Sequence, residues 1–272
     1  MQLKAIIFDW AGTVVDFGSL CPIAAFQAAF REKGVAVTPE EIHQFMGIHK
    51  REHIRAILAL PRVTCDWRAA HGGHPDPQAV DALYQIAERR ILETVAESAT
   101  PTPGVAEVMA FAKHRKLRIG STTGYTSPLM DQLVPAAARL GYAPEFWIAS
   151  DQVSQGRPWP WMIFKNMEHF KVCPPSAIIK VGDTVADVEE ASNAGAWSVA
   201  VVESSSLVGK SEADLAALPE KDRQRIIRCA AKRLADAGAH FVIKNLSELA
   251  ATIEQVEVRL ANGQLPPQLL AN

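Results

Sequence analysis

The feature that most constrains the fold is a series of short, mainly apolar runs that are separated by long helical patterns. The first run leads directly into Asp9, and the second begins only after residue 116. Such runs are typical of strands buried on both faces of a parallel sheet. They cover residues 3–8, 117–119, 146–149, 177–181, 197–202 and 240–243. Because helical patterns lie between the later runs, the sequence predicts an α/β fold with right-handed crossovers.

A segment that contains only helical patterns interrupts this alternation just after the first run. Ile23, Phe26 and Phe30 are spaced for one face of a helix. Further helices are predicted over residues 50–60, where Pro61 is expected to end the helix, and over residues 80–98. The resulting division is a core of residues 1–19 and 100–272 with an inserted helical domain of residues 20–99.

Composition and charge narrow the functional classes. Hydrophobic residues make up 48% of the chain and charged residues 21%, as is ordinary for a globular protein. The formal net charge is −2, so no overall attraction to nucleic acid or to a membrane surface is expected. The N-terminal apolar stretch is too short for a membrane span or a secretion signal. The four cysteines form no close pair. We therefore expect a cytoplasmic protein with reduced thiols.

Carboxylates follow two of the predicted strands. Asp9 comes after the first, and Asp183 and Asp187 come after residues 177–181. The carboxyl ends of parallel strands form the edge of the sheet at which ligands bind. An aspartate there can attack phosphorus, and several carboxylates can bind magnesium. The alternative is purely structural, with Asp9 in a turn and Asp183 capping a helix.

Two further polar motifs lie near strand ends. Ser121 to Tyr125 have the sequence Ser-Thr-Thr-Gly-Tyr after residues 117–119, and Arg157 follows Gly156. Hydroxyl groups and a guanidinium can bind phosphoryl oxygens. Taken singly, a Ser/Thr-rich turn and a surface arginine are the commoner explanations.

In this order, the four motifs resemble the haloacid dehalogenase superfamily over residues 3–17 and 101–202. The resemblance implies a Rossmann-like parallel-sheet core with an all-helical cap domain inserted after the first motif, and Asp9 as the nucleophile. One position departs from the pattern. Most phosphatases and mutases of the superfamily have a second aspartate two residues after the nucleophile, where this chain has Ala11. A missing general acid typically costs about 100- to 10,000-fold in rate.

The insert contains residues that suit a different chemistry. Lys50 and His53 are three residues apart and share one helical face. A lysine in a closed, apolar pocket can lose its proton and attack a carbonyl carbon, although most lysines are simply exposed. Together with Met46-Gly47 and the four motifs, this pair resembles the phosphonatase family of the superfamily over nearly the whole chain.

That resemblance implies hydrolysis of the carbon–phosphorus bond of phosphonoacetaldehyde to acetaldehyde and phosphate. Lys50 would form a Schiff base with the aldehyde, and Asp9 would accept the phosphoryl group. No oxygen leaving group needs a proton, so Ala11 is tolerable.

The resemblance also implies a role for each site residue. Magnesium would be bound by Asp9, the carbonyl of Ala11 and Asp183, with Asp187 in support, and His53 would shuttle protons. The substrate would be contacted by Thr13, Met46, Ser121, Thr123, Tyr125 and Arg157. A homodimer through the cap is also implied, in which the face of Phe26 and Phe30 is either the contact or the cap core.

Two alternatives remain open from sequence. A phosphatase or phosphomutase of the same superfamily would leave Lys50 without a function. A catalytically silent binding protein is expected to have lost catalytic residues, yet Asp9, Arg157, Asp183 and Asp187 are all present.

Overall fold

The computed structural model describes residues 2–267, and its centre is a six-stranded parallel sheet. The strand order is β3-β2-β1-β4-β5-β6, and every pairing is parallel. The strands are β1 (Ala5–Phe8), β2 (Arg118–Thr123), β3 (Phe146–Ala149), β4 (Ile178–Gly182), β5 (Trp197–Val201) and β6 (Phe241–Ile243). The chain runs outward from β1 to β3 and then returns to β4, so the point at which the strand order reverses lies between β1 and β4.

Twelve α-helices accompany the sheet within residues 2–267. They are α1 (Leu20–Glu32), α2 (Pro39–His43), α3 (Lys50–Leu58), α4 (Pro61–His71), α5 (Pro77–Thr94), α6 (Val105–Arg115), α7 (Ser127–Arg139), α8 (Trp161–Phe170), α9 (Val185–Ala194), α10 (Glu212–Ala217), α11 (Glu220–Asp236) and α12 (Leu249–Ala261). None of them is both long and apolar enough to cross a membrane. The α/β class and the parallel core are confirmed.

Helices α1 to α5 form the inserted cap. Phe26 and Phe30 of α1 are fully buried, as are Leu83 and Ile91 of α5, because α1 packs mainly on α5. Of the two possibilities left open for Phe26 and Phe30, the structure therefore selects the cap core.

Several predicted boundaries differ from the structure, and the helix expected over residues 80–98 runs instead over Pro77–Thr94. Helix α3 ends at Leu58, and Pro61 is itself the first residue of the next helix, α4. Proline is compatible with that first helical position. Strand β2 runs to Thr123 rather than to residue 119. Its last residues are small and polar, so the apolar pattern stopped short of the strand end.

The register explains why the polar motifs meet. Phe8, the last residue of β1, is aligned with Ser121 of β2 and with Val181 of β4. The residues that follow these three positions therefore lie at one edge of the sheet, beside the point where the strand order reverses.

Candidate active site

Asp9 begins the loop that follows β1. Its backbone N–H donates to the carbonyl of Val181 at 2.8 Å, which ties the residue to β4. The following turn needs Gly12, whose φ is +85° and at which a Cβ would lie 2.6 Å from the Asp183 carboxylate. Glycine thus allows this loop to approach the second acidic motif closely.

Asp183 is fully buried opposite Asp9. One of its oxygens accepts a hydrogen bond from Thr13 Oγ1 at 3.0 Å, and the other accepts from the backbone and side chain of Ser206 at 2.9 and 3.0 Å. Burial, followed by the negative charge of Asp9, raises the pKa of Asp183 well above its ordinary value. This carboxylate has no cationic side chain within ion-pair distance among residues 2–267.

Asp187 is neutralised by cations instead. Its Oδ1 lies 2.8 Å from Lys180 Nζ and 3.1 Å from Arg157 Nη1, while Oδ2 accepts from Thr184 in a capping box at the start of α9. Burial favours a higher pKa, but the charges of Arg157 and Lys180 outweigh it and lower the pKa of Asp187. Asp187 is therefore ionised.

The three aspartates fit a divalent cation. Each offers one oxygen, and these atoms lie within 4.8 Å of one another. Arg157 and Lys180 balance Asp187 and a further buried carboxylate, Glu190. When Asp9 and Asp183 are both ionised, their charges amount to −2, which a bound dication would offset.

Lys50 approaches this edge from the cap as the first residue of α3. It is 5% exposed and makes no ion pair with any residue in the described part of the chain. Its Nζ lies 5.1 Å from the ring centre of Tyr125 and 5.9 Å from that of Phe26. Burial, opposed by the charge of Asp9, lowers its pKa to about 8. The positive end of α3 also disfavours the ammonium form.

His53 lies in the cap core. Its Nε2 donates to the carbonyl of Ile42 at 2.7 Å, and its ring packs edge-on against Phe26 at 4.7 Å. Burial and then the charge of Lys50 lower the pKa of His53 well below its ordinary value, so the imidazole is neutral. Its Nδ1 has no partner among residues 2–267.

A narrow cavity separates the cap from the core. The volume open to the centre of a water-sized sphere is about 20 Å³, which is enough for about one water molecule. It is lined by Asp9, Ala11, Ser19, Met46, Gly47, Lys50, Thr123, Gly124, Tyr125, Arg157 and Thr184. The cap must therefore open to admit a substrate.

Several predicted site residues lie outside this lining. Thr13 donates to Asp183. Ser121 accepts from the indole N–H of Trp10 at 2.8 Å, and the His53 ring lies in the cap core. Their direct contact with substrate stays a prediction.

Buried residues that the sequence analysis did not select complete the site. Lys180 lies on β4 and Thr122 on β2. Lys180 Nζ donates to Thr122 Oγ1 at 3.0 Å. Glu190 follows Asp187 by three residues on α9. Lys180 could have been identified from the sequence, because it lies in an otherwise apolar strand that is buried on both faces. A buried charge needs partners, so charged neighbours were to be expected.

Comparison with known proteins agrees with this geometry. Over residues 3–195 the chain matches the family of haloacid dehalogenase-like hydrolases. A parallel sheet with an aspartate after β1 and an inserted helical cap thus defines a hydrolase of the haloacid dehalogenase class.

Its relatives define the family more narrowly. The chain is 44% identical over 264 residues to phosphonoacetaldehyde hydrolase of Nitratidesulfovibrio vulgaris, covering 97% of this chain and 94% of that protein. A Bacillus cereus phosphonoacetaldehyde hydrolase is 39% identical, with 94% and 97% covered. The crystal structure of a phosphonoacetaldehyde hydrolase-like protein from Oleispira antarctica aligns with a TM-score of 0.95 at 35% identity, covering 98% of this chain and 96% of that one. The chain belongs to the phosphonoacetaldehyde hydrolase family.

Proposed function

We propose that this protein hydrolyses the carbon–phosphorus bond of phosphonoacetaldehyde through a Schiff base on Lys50 and a phosphoryl group on Asp9. The products are acetaldehyde and phosphate. Relatives of that name at 39–44% identity support the substrate. The observation that carries the mechanism is the environment of Lys50.

The site contains two buried lysines with opposite environments. Lys180 Nζ lies 2.8 Å from Asp187 and 3.6 Å from Glu190, so it forms ion pairs with two carboxylates. Lys50 faces aromatic rings, has no anionic partner within ion-pair distance among residues 2–267, and has a pKa of about 8. Only a neutral amine attacks an aldehyde, so the structure favours Lys50 as the nucleophile toward carbon.

The reaction proceeds by imine formation, phosphoryl transfer and hydrolysis. The Lys50 amine adds to the aldehyde carbon, and the resulting carbinolamine takes up a proton from solvent and loses water to give a protonated imine. The electron pair of the carbon–phosphorus bond moves into the imine to form an enamine, while an Asp9 oxygen bonds to phosphorus. Water then cleaves the aspartyl phosphate. A proton adds to the enamine carbon, and hydrolysis of the resulting imine releases acetaldehyde and restores Lys50.

This order of bond changes explains why the chain can have alanine at position 11. The leaving group is a carbon atom whose electrons move into the imine, so no acid is needed beside Asp9 at that step. Ala11 lines the cavity next to Asp9 without adding a negative charge. An additional carboxylate there would repel the phosphoryl oxygens.

We propose that Arg157 binds the phosphoryl group. Its Nη2 lies 2.8 Å from Asp9 Oδ1, and the side chain lines the cavity. Thr123 lies at the end of β2 on the same cavity, and its hydroxyl is our second candidate contact to the phosphoryl oxygens. Bound Mg²⁺, held by Asp9, Asp183 and the Ala11 carbonyl with Asp187 in support, would neutralise charge on the transferring group.

Closure of the cap completes the site. Arg157 Nη1 donates to the carbonyl of Gly47 at 3.4 Å, and Thr126 Oγ1 donates to Glu88 of α5 at 2.7 Å. Both bonds join core to cap. They keep Lys50 at the cavity that Asp9 also lines and exclude bulk water from the imine.

The remaining assignments are narrower proposals. Met46 and Tyr125 shape the pocket around the Lys50 amine, and both are buried at the cavity. His53 is neutral and buried, and its Nδ1 has no partner within residues 2–267, so it can take part in proton transfer only if the cap core rearranges. We further propose a cytoplasmic homodimer through the cap. Because Phe26 and Phe30 are buried, that contact must use another surface, and light scattering tests the oligomeric state.

Product release tests the function. Phosphate and acetaldehyde should appear in equal amounts from phosphonoacetaldehyde, with little phosphate from an aryl phosphate. The reverse preference would identify a phosphatase, and inactivity toward both would support a silent binding protein. Lys50→Arg should abolish phosphonate cleavage because arginine cannot form the imine, and exposed Lys165→Arg is the matched control.

A further inference from the structure

A carboxylate beneath the site has no function in the mechanism so far. Glu190 is 0% exposed on α9. Its Oε2 accepts from Arg157 Nε at 2.9 Å and from Thr122 Oγ1 at 3.2 Å. Its Oε1 has no hydrogen-bond partner in the described part of the chain. Burial raises the pKa of Glu190, against the opposing charges of Arg157 and Lys180.

Stabilisation of the fold does not account for this arrangement. Lys180 already has Asp187 as a partner at 2.8 Å. A buried carboxylate with one oxygen unpartnered is costly, and apolar residues of similar volume often serve stability as well or better. The geometry therefore points to what Glu190 does to Arg157.

Glu190 fixes the plane of the guanidinium. The group is planar and rigid, so a bond at Nε determines where its two terminal nitrogens lie. Here Nη2 reaches Asp9 at 2.8 Å and the Thr122 carbonyl at 2.9 Å, while Nη1 lies 3.1 Å from Asp187 and 3.4 Å from the Gly47 carbonyl.

Only one guanidinium nitrogen therefore reaches Asp9. A guanidinium that was free to turn would instead form a bidentate pair with this carboxylate. Such a pair would engage both Asp9 oxygens, whereas the observed contact uses Oδ1 alone.

We propose that Glu190 is a positioning residue, which holds Arg157 by Nε so that the arginine binds the phosphoryl group without capturing Asp9. The proposal rests on the phosphoryl-binding role of Arg157 in the proposed function. Glu190 would then affect phosphate affinity and turnover only through the position of the Arg157 side chain.

Inorganic phosphate is the probe, and its dissociation constant is measured by calorimetry with Mg²⁺ present. Glu190→Ala should weaken phosphate binding about tenfold to a hundredfold, the range expected for loss of a charge-assisted hydrogen bond. Glu190→Gln keeps an acceptor oxygen and should recover most of that loss. Glu189→Gln, at the half-buried neighbouring position, is the matched control and should change binding less than about twofold.

A double-mutant cycle separates positioning from a structural role. If Glu190 acts through Arg157, then Glu190→Ala should have no further effect on phosphate affinity in an Arg157→Ala background. The proposal is overturned if Glu190→Ala lowers only the thermal midpoint while phosphate affinity, kcat and KM stay within about twofold. It is also overturned if the effects of the two substitutions simply add. Wild-type protein that binds phosphate but does not cleave phosphonoacetaldehyde would contradict the proposed function alone.

Discussion

Replacing Asp9 with asparagine should separate the two halves of the proposed reaction. Phosphate release should cease because an amide cannot accept the phosphoryl group. Imine formation should persist because Lys50 remains buried against the rings of Tyr125 and Phe26. The negative charge of Asp9 raises the pKa of Lys50, which burial lowers to about 8, so Asp9→Asn should lower that pKa further.

The size of the effect follows from the neutral fraction of the amine. At the ordinary lysine pKa of 10.5, about one amine in a thousand is neutral at pH 7.5, against about one quarter at a pKa of about 8. The pocket thus supplies roughly two hundredfold more reactive amine. Because the neutral form accumulates as pH rises, the labelling rate should increase through about pH 8 in the wild type and at lower pH in Asp9→Asn.

The assay is irreversible labelling by cyanoborohydride with acetaldehyde, followed from pH 6 to 10 in a chelator. Adding Mg²⁺ to the wild type should move the midpoint in the same direction as Asp9→Asn, since a dication offsets the same charge. Asp131→Asn, at an exposed position on α7, is the control and should not move it. A wild-type midpoint near 10.5, or an upward movement in Asp9→Asn, would contradict the effects of burial and of the Asp9 charge on the pKa of Lys50.

Three further outcomes are expected. Excess chelator should abolish phosphate release and added Mg²⁺ should restore it; full activity in chelator would contradict a metal at the acidic cluster. Ala11→Asp should not accelerate carbon–phosphorus cleavage, and a faster rate would show that the leaving group needs an acid. Gly47→Ala should lower turnover at least about tenfold, because a Cβ would lie 2.3 Å from Thr184 Oγ1 and keep the cap from closing. Gly72→Ala has comparable backbone strain (φ +75°) but no atom within 4 Å, so turnover should be retained; equal losses in both variants would contradict the closure argument.

Local patterns predicted the fold well where burial and periodicity agree. The apolar run before Asp9 became β1, and the helical face with Phe26 became α1. Pro61 was misinterpreted because proline suits both the end of one helix and the first turn of the next. Only the length of the connection between two helices distinguishes these two roles of proline. The connection between α3 and α4 is too short to recognise from the sequence.

The buried charge cluster was harder to predict for a different reason. Glu189 and Glu190 are adjacent and chemically identical, yet only Glu190 faces Arg157. The helical phase relative to Asp187 favours Glu190 at three residues' distance, but its partner is 33 residues away in the chain. Contacts of that kind depend on how α9 packs against the sheet, which no local pattern specifies.

The central claim is that cleavage proceeds through an imine on Lys50. The most direct measurement is peptide mapping by mass spectrometry after borohydride is added to enzyme and phosphonoacetaldehyde. Irreversible loss of activity and one reduced adduct on Lys50 are expected, with no adduct in Lys50→Arg. An adduct on Lys180 or Lys33, or turnover unaffected by borohydride with no adduct formed, would contradict it.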